Sequence, residues 1–204
     1  MRSILILRHG ETTWNVEGRW QGWLDIELAE AGIIQAKARA AQLADSGVQF
    51  AAIISSDLSR AAQTAEFVSQ SMGVPVTHHP GLRERHGGEF EGLDAVAIDA
   101  AWPGFRERWR NGLEDAPPGG ESDATVAERI RDVLNGLDDI ADGAVLLVTH
   151  GGVARVFGDL AGEKTRTVVP NVGGRWFVWD GEALRAGAHL EPLPDTNHTV
   201  PSIE

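Results

Sequence analysis

The segment SILILRHGET occupies residues 3–12, and AVLLVTHGG occupies residues 144–152. Each is a short aliphatic run that stops abruptly at a histidine and a glycine. An uninterrupted apolar run of this length reads as a strand buried on both faces, as in a parallel sheet with helices on either side. The two segments end alike, so they bring His9 and His150 to one edge of that sheet. In open α/β sheets, ligands bind beyond the carboxyl ends of the strands.

The rest of the chain supports this reading. Phe50–Ser55 (FAAIIS) is a second buried strand in sequence order, and Pro75–His78 a third. Glu30–Ser46 carries apolar residues at helical spacing and ends near Gly47. Asp57–Met72 is a second helix, with Ser56 or Asp57 as its N-cap and Gly73 as its stop. Ser122 to Ala141 is a third; Thr125 and Glu128 fit a capping box, at its start or one turn inside it. A helix follows His150, from about 152 to 161. Arg175–Asp180 and Ala183–His189 form a terminal hairpin across Asp180-Gly181. The stretch 81–122 is rich in glycine and proline, which predicts excursions over the sheet with short helices near 93–100 and 103–111. Strands alternating with long helices predict an α/β fold of three layers, α/β/α, with a mainly parallel central sheet and a small cap segment. The expected organisation is a single domain over 1–204, with 93–121 as a modest cap insertion and 192–204 as a loose C-terminal tail.

Composition narrows the function. Hydrophobic residues make up 42% of the 204 positions and charged residues 24%, as in ordinary globular chains. The formal net charge of −12 argues against a general binder of nucleic acid or anionic membrane. It also repels phosphate unless clustered arginines override it locally, which screening over ~10 Å permits. With no cysteine there are no disulfides, thiolate chemistry or cysteine–metal sites. No apolar run approaches the ~20 residues of a membrane span, so a soluble cytoplasmic protein is the default expectation.

Arg8, His9, Arg60, Glu84 and His150 carry the chemical signal, and each gains its meaning from its context. LRHGET at 7–12, continued by TTWN at 12–15 and QGWLD at 21–25, resembles the signature of the histidine phosphatase superfamily, which includes the cofactor-dependent phosphoglycerate mutases. SSDLSRAAQTAE at 55–66, LRERHGGEFEG at 82–92, GGES at 119–122 and VTHGG at 148–152 follow in the same order. The resemblance spans roughly 4–155. It implies that His9 is phosphorylated, that Arg8, Arg60 and His150 hold the phosphoryl group, and that Glu84 is the general acid. It also implies that Asn15 contributes to the phosphate pocket and that the backbone at Gln21 and Gly22 lies beside substrate; Gly151, next to His150, joins the same set.

The chemistry is coherent in its own right. A phosphoryl group in transfer spreads charge over three equatorial oxygens and needs fixed cationic donors. Arg8 and Arg60 offer planar forks that stay charged, and a protonated His150 adds a donor. A histidine can attack phosphorus with one ring nitrogen if a local acceptor, such as a backbone carbonyl, holds the other. Glu84 would protonate the leaving oxygen and then take a proton from water. The cationic cluster stands in for a metal. No HxH, HExxH or clustered-carboxylate pattern supports a metal site, and no cofactor is implied.

Other residues stay open at this level. Trp14, Trp20 and Trp23 can wall the pocket or pack in the core. Arg106, Arg108 and Arg110 in FRERWR can bind an acidic part of the substrate or cover a solvated helix face. His86 can line the pocket, and Glu121 can buttress the active-site arginines. The preferred function is a phosphatase acting on a small phosphorylated metabolite. The alternatives are a phosphoglycerate mutase, a protein phosphohistidine phosphatase, and an inactive binding module of the same fold. Glu84 and His150 lie 66 positions apart, whereas mutases of the family typically carry a longer insertion there; this favours hydrolysis. A homodimer is compatible with the resemblance, though no particular residue argues for it.

Overall fold

The computed structural model describes residues 1–163 and 168–193. In chain order the elements are β1 (Arg2–Arg8), α1 (Thr13–Val16), α2 (Glu30–Asp45), β2 (Phe50–Ser55), α3 (Ser59–Met72), β3 (Val76–His78), α4 (Ala95–Ala101), α5 (Phe105–Arg110), α6 (Asp123–Asn135), β4 (Ala144–Thr149), α7 (Gly151–Leu160), β5 (Gly174–Trp179) and β6 (Leu184–His189). The six strands form one sheet in the order β3-β2-β4-β1-β5-β6. The first four in that order are mutually parallel; β5 and β6 extend the β1 edge antiparallel.

Both faces of the central strands are apolar because both are covered. Ile4 and Ile6 of β1, with Val145 and Leu147 of β4, pack against Val126, Ile130 and Val133 of α6 and Val153, Val156 and Phe157 of α7. Leu5, Leu7, Leu146 and Val148 turn to the other face and meet Ala40 and Leu43 of α2 and Ala61, Ala65 and Val68 of α3. The period-2 alternation of a strand thus serves two cores at once, each buried aliphatic side chain contributing about 1.5–3 kcal/mol.

Several boundaries differ from the expectation. α3 starts at Ser59, because the proposed caps are engaged elsewhere: Ser56 meets His150 and Asp57 pairs with Arg83. α6 is capped by Ser122, whose hydroxyl accepts from Thr125 N at 3.1 Å, so Thr125 lies inside the helix. It ends at Asn135, and the chain tightens into a 3₁₀ turn over Gly136–Asp139. The hairpin turns through Asp180–Ala183, with the Asp180 carboxylate accepting from Glu182 N and Ala183 N. Pro192 and Leu193 sit at the start of the tail; Leu193 is buried with Leu28, Ala36 and Val172. The remainder, 194–204, lies outside the described residues.

Candidate active site

The register of the sheet pairs the two histidine loops. Arg8 of β1 lies opposite Thr149 of β4, and His9 N donates to Thr149 O at 3.0 Å. One residue further on, the rings of His9 and His150 meet edge to face, with centroids 5.1 Å apart. Parallel neighbours in register therefore suffice to build the pair.

The hydrogen bonds define both tautomers. His9 Nδ1 lies 2.6 Å from Gly10 O, a pure acceptor, so the proton sits on Nδ1 and Nε2 keeps its lone pair. Arg60 Nε donates to His150 Nδ1 at 3.2 Å, which leaves the proton on Nε2, 2.9 Å from Ser56 Oγ. Burial, reinforced by Arg60 and Arg8, pushes the His9 pKa well below its ordinary value. Burial and Arg60 do the same to His150. Both shifts favour the neutral ring.

Arg60 is fully buried at the start of α3. Its Nη atoms donate to Leu24 O and Gly22 O at 2.9 and 2.8 Å, and burial lowers its pKa to about 10. Arg8 Nη1 donates to Val169 O at 2.6 Å. The Glu84 carboxylate accepts from Arg85 N at 2.8 Å and Gly152 N at 3.2 Å, so it is held between its own loop and the start of α7. Asn15 Oδ1 accepts from Thr12 N and Oγ1 and from Asn171 Nδ2.

Arg8, His9, Asn15, Gln21, Gly22, Arg60, Glu84 and Gly151 line one cavity of about 540 Å³. His150 is fully buried behind it, in contact with His9 and Arg60. The roof carries Trp20, Trp109 and Arg110. Of the open residues, Trp20 packs on Phe90 and Trp109. Trp23 donates to Glu84 O at 2.7 Å, and Trp14 lies under Arg19. Arg106 and Arg108 pair with Asp99 and Glu114, so only Arg110 of that trio lines the cavity. His86 packs on Trp23, outside the lining. Glu121 pairs with Arg129, which donates to Glu84 O; it supports the loop of Glu84, not Arg8 or Arg60.

Sequence reasoning missed Ser56 and Arg85. Within SSDLS, Ser56 has the position of a helix cap, but its hydroxyl meets His150 Nε2. Arg85 is 4% exposed, lines the cavity beside Glu84 and pairs with Asp123, which also takes Arg155 at 2.6 Å. Burial works to raise the Asp123 pKa, but Arg155 and Arg85 outweigh it and hold the carboxyl below its usual range. No group of three or more potential metal-ligating side chains gathers among the described residues.

The model of the histidine phosphatase superfamily, branch 1, matches residues 4–169. The chain belongs to the histidine phosphatase superfamily. Within it, the chain is 42% identical over 161 residues to glucosyl-3-phosphoglycerate phosphatase of Mycobacterium tuberculosis, covering 74% of this chain and 71% of that protein. It is 40% identical over 159 residues to a metal-independent phosphoserine phosphatase of Arabidopsis thaliana (75% and 66% covered). A 2,3-bisphosphoglycerate-dependent phosphoglycerate mutase of Methylobacterium radiotolerans is 32% identical, over 84% of each chain. The solved structure of mycobacterial glucosyl-3-phosphoglycerate phosphatase in complex with VO3 superposes with a TM-score of 0.81 at 36% identity, covering 92% of this chain and 97% of that one. No helix among the described residues is long and apolar enough to cross a membrane.

Proposed function

We propose that this member of the superfamily is a phosphatase that hydrolyses the phosphomonoester of a small metabolite through a phosphohistidine at His9. The observation that carries this reading is the His9 tautomer: Nδ1–H held by Gly10 O, with Nε2 bare beside Arg8 and Arg60. Nε2 attacks phosphorus and the bond to the leaving oxygen breaks, while Glu84 gives that oxygen its proton. Water then attacks the phosphorus, Glu84 takes the proton back, and inorganic phosphate leaves with the N–P bond broken. The Gly10 carbonyl stabilises the positive charge that grows on the ring. The arriving phosphate anion favours protonation of His150. An alkaline denaturing quench with labelled substrate is expected to trap a base-stable adduct that is lost on later acidification and that His9→Ala abolishes; near-normal turnover by His9→Ala would refute the mechanism.

We read 93–121 as the cover of the site. α4 and α5 pack on Phe90 through Ile98 and Phe105, and Trp109 and Arg110 reach the cavity. A cover this small admits water, which favours hydrolysis over mutase chemistry. Arg85 refines the substrate class. Its Nη1 is buried with no hydrogen-bond partner among the described residues, while its guanidinium lies 5.2 Å over the Trp109 ring. A buried N–H of this kind is satisfied by an anionic group of the ligand. Phosphoserine and phosphoglycerate, which appear in the names of relatives, both carry a carboxylate. Arg85→Met is expected to raise KM for phosphorylated carboxylic acids by about tenfold or more, a ~1.4 kcal/mol loss, and to leave KM for nitrophenyl phosphate nearly unchanged. Equal effects on both would remove the carboxylate from the reading.

A further inference from the structure

The loop 168–173, ahead of β5, clasps the nucleophile's backbone. Arg8 N donates to Gly173 O at 2.9 Å, and Val172 N to His9 O at 3.2 Å. Asn171 Nδ2 reaches His9 O at 3.1 Å and Asn15 Oδ1 at 3.3 Å. Val169 O receives Arg8 Nη1. Two residues of the site, Arg8 and His9, are thus fixed by one short segment. That segment is strained: Val172 has φ 49°, and among the described residues it is the single non-glycine with positive φ. A β-branched residue adopts this conformation only where its surroundings over-determine it.

Arg39 supplies that constraint. It lies on α2, 2% exposed, on the same helical face as Ala36, Ala40 and Leu43. Nε donates to Val172 O at 2.8 Å, and Nη1 donates to Glu191 O at 3.0 Å and to Gln42 Oε1. No carboxylate pairs with it among the described residues. Burial lowers its pKa to about 10, the signature of a charge kept out of water without a counter-ion. Such a group is expensive, and its donors go to the backbone that carries the strained valine and to the segment after β6.

We infer that Arg39 is a positioning residue for catalysis: it locks Val172 in the left-handed conformation, so that loop 168–173 holds Arg8 and His9 in attacking geometry. This rests on the reading of His9 as nucleophile. Without Arg39, Val172 relaxes to negative φ, the clasp shifts, and the His9 ring moves relative to Arg60. Displacements near 1 Å can cost up to ~10²-fold in rate.

The test is Arg39→Ala, alone and combined with Val172→Gly, because glycine takes positive φ without strain. Arg39→Ala is expected to lower kcat by ~10-fold or more and to slow single-turnover phosphorylation of His9, with KM nearly unchanged. Val172→Gly in the same chain should recover several-fold of the loss. So should added methylguanidinium, because Arg39 borders a second cavity of about 290 Å³ through which a small cation can enter. A merely structural arginine would give neither recovery at a temperature where the variant is folded. A kcat within about threefold of the parent, or a loss that neither treatment restores, would overturn the inference. Should Arg39→Ala fail to fold, Asn171→Ala carries the test: its kcat must fall at constant KM, and an unchanged kcat counts against the clasp. His9→Ala is assayed in parallel. Activity in that variant would refute the nucleophile itself, whereas an inactive His9→Ala beside a fully active Arg39→Ala refutes only the positioning role.

Discussion

At the scale of single residues, the two neutral histidines couple the site to stability. Burial depresses both pKa values below those of the unfolded chain, near 6.5. The folded protein therefore declines protons that the unfolded chain accepts. Their stabilising contribution is complete above pH ~6.5 and is lost as pH falls below it, with a limiting slope of about 2.7 kcal/mol per pH unit for two groups. Thermal melts between pH 7.5 and 5.5 are expected to show this fall, and His150→Asn should reduce the slope. Asp57 and Asp123, with depressed carboxyl pKa values, act in a lower window below pH ~4. Added phosphate should raise the melting temperature by binding the folded state alone. A pH-independent midpoint would contradict the neutral pair. Ser56→Ala strips the buried His150 Nε2–H of its partner and should cost about 1–3 kcal/mol, measured by denaturant titration, with a larger proportional loss in kcat than in KM.

At the scale of elements, close backbone approach places α2 against the RHGE loop after β1. A Cβ on Gly32 would stand 2.0 Å from Glu11 O, and one on Gly10 would stand 2.5 Å from Gly32 O. Neither glycine has positive φ, so the requirement is space and not backbone conformation. Gly32→Ala is expected to push α2 from the RHGE loop, lower stability by about 1–3 kcal/mol and reduce kcat well beyond its effect on KM. Retained kcat with a normal melt would show that the loop yields. Trp109 of α5 packs on Trp20 with the rings tilted by 34° and lies under the Arg85 guanidinium. Trp109→Ala should loosen discrimination among substrates while sparing the turnover of nitrophenyl phosphate, which leaves without help from a positioned acid.

At the scale of the whole molecule, the question is which acceptor takes the phosphoryl group. A mutase must keep its phosphohistidine from water while the substrate reorients. Here only two short α-helices, a 3₁₀ turn and their loops separate Glu84 from α6. Water is expected to win. Incubation with phosphoglycerate and a trace of its bisphosphorylated form should release phosphate faster than isomers exchange, and a chelator should leave the rate unchanged. Faster isomer exchange would reassign the enzyme as a mutase, with Arg85 and Arg110 as the clamp on its substrate.

Much of this was legible in the chain because it is local. Apolar runs of four or five residues set β1, β2 and β4, helical periodicity set α2, and the residues after β1 and β4 named His9 and His150. What stayed hidden depends on contacts between distant segments. Ser56 reads as a cap until β4 brings His150 within 2.9 Å of it. Arg85 carries no signal of its own in the sequence until the fold sets it between Asp123 and the Trp109 ring. Arg39 reads as the solvated face of a helix until Val172, 133 positions away, meets it. Periodicity and propensity are set by near neighbours along the chain, so sequence alone determined the main elements and singled out His9 and His150 at the strand ends. Burial and hydrogen-bond partners belong to the assembled fold, so only the tertiary structure decided which tautomers the histidines hold and that Arg39 meets the loop behind them.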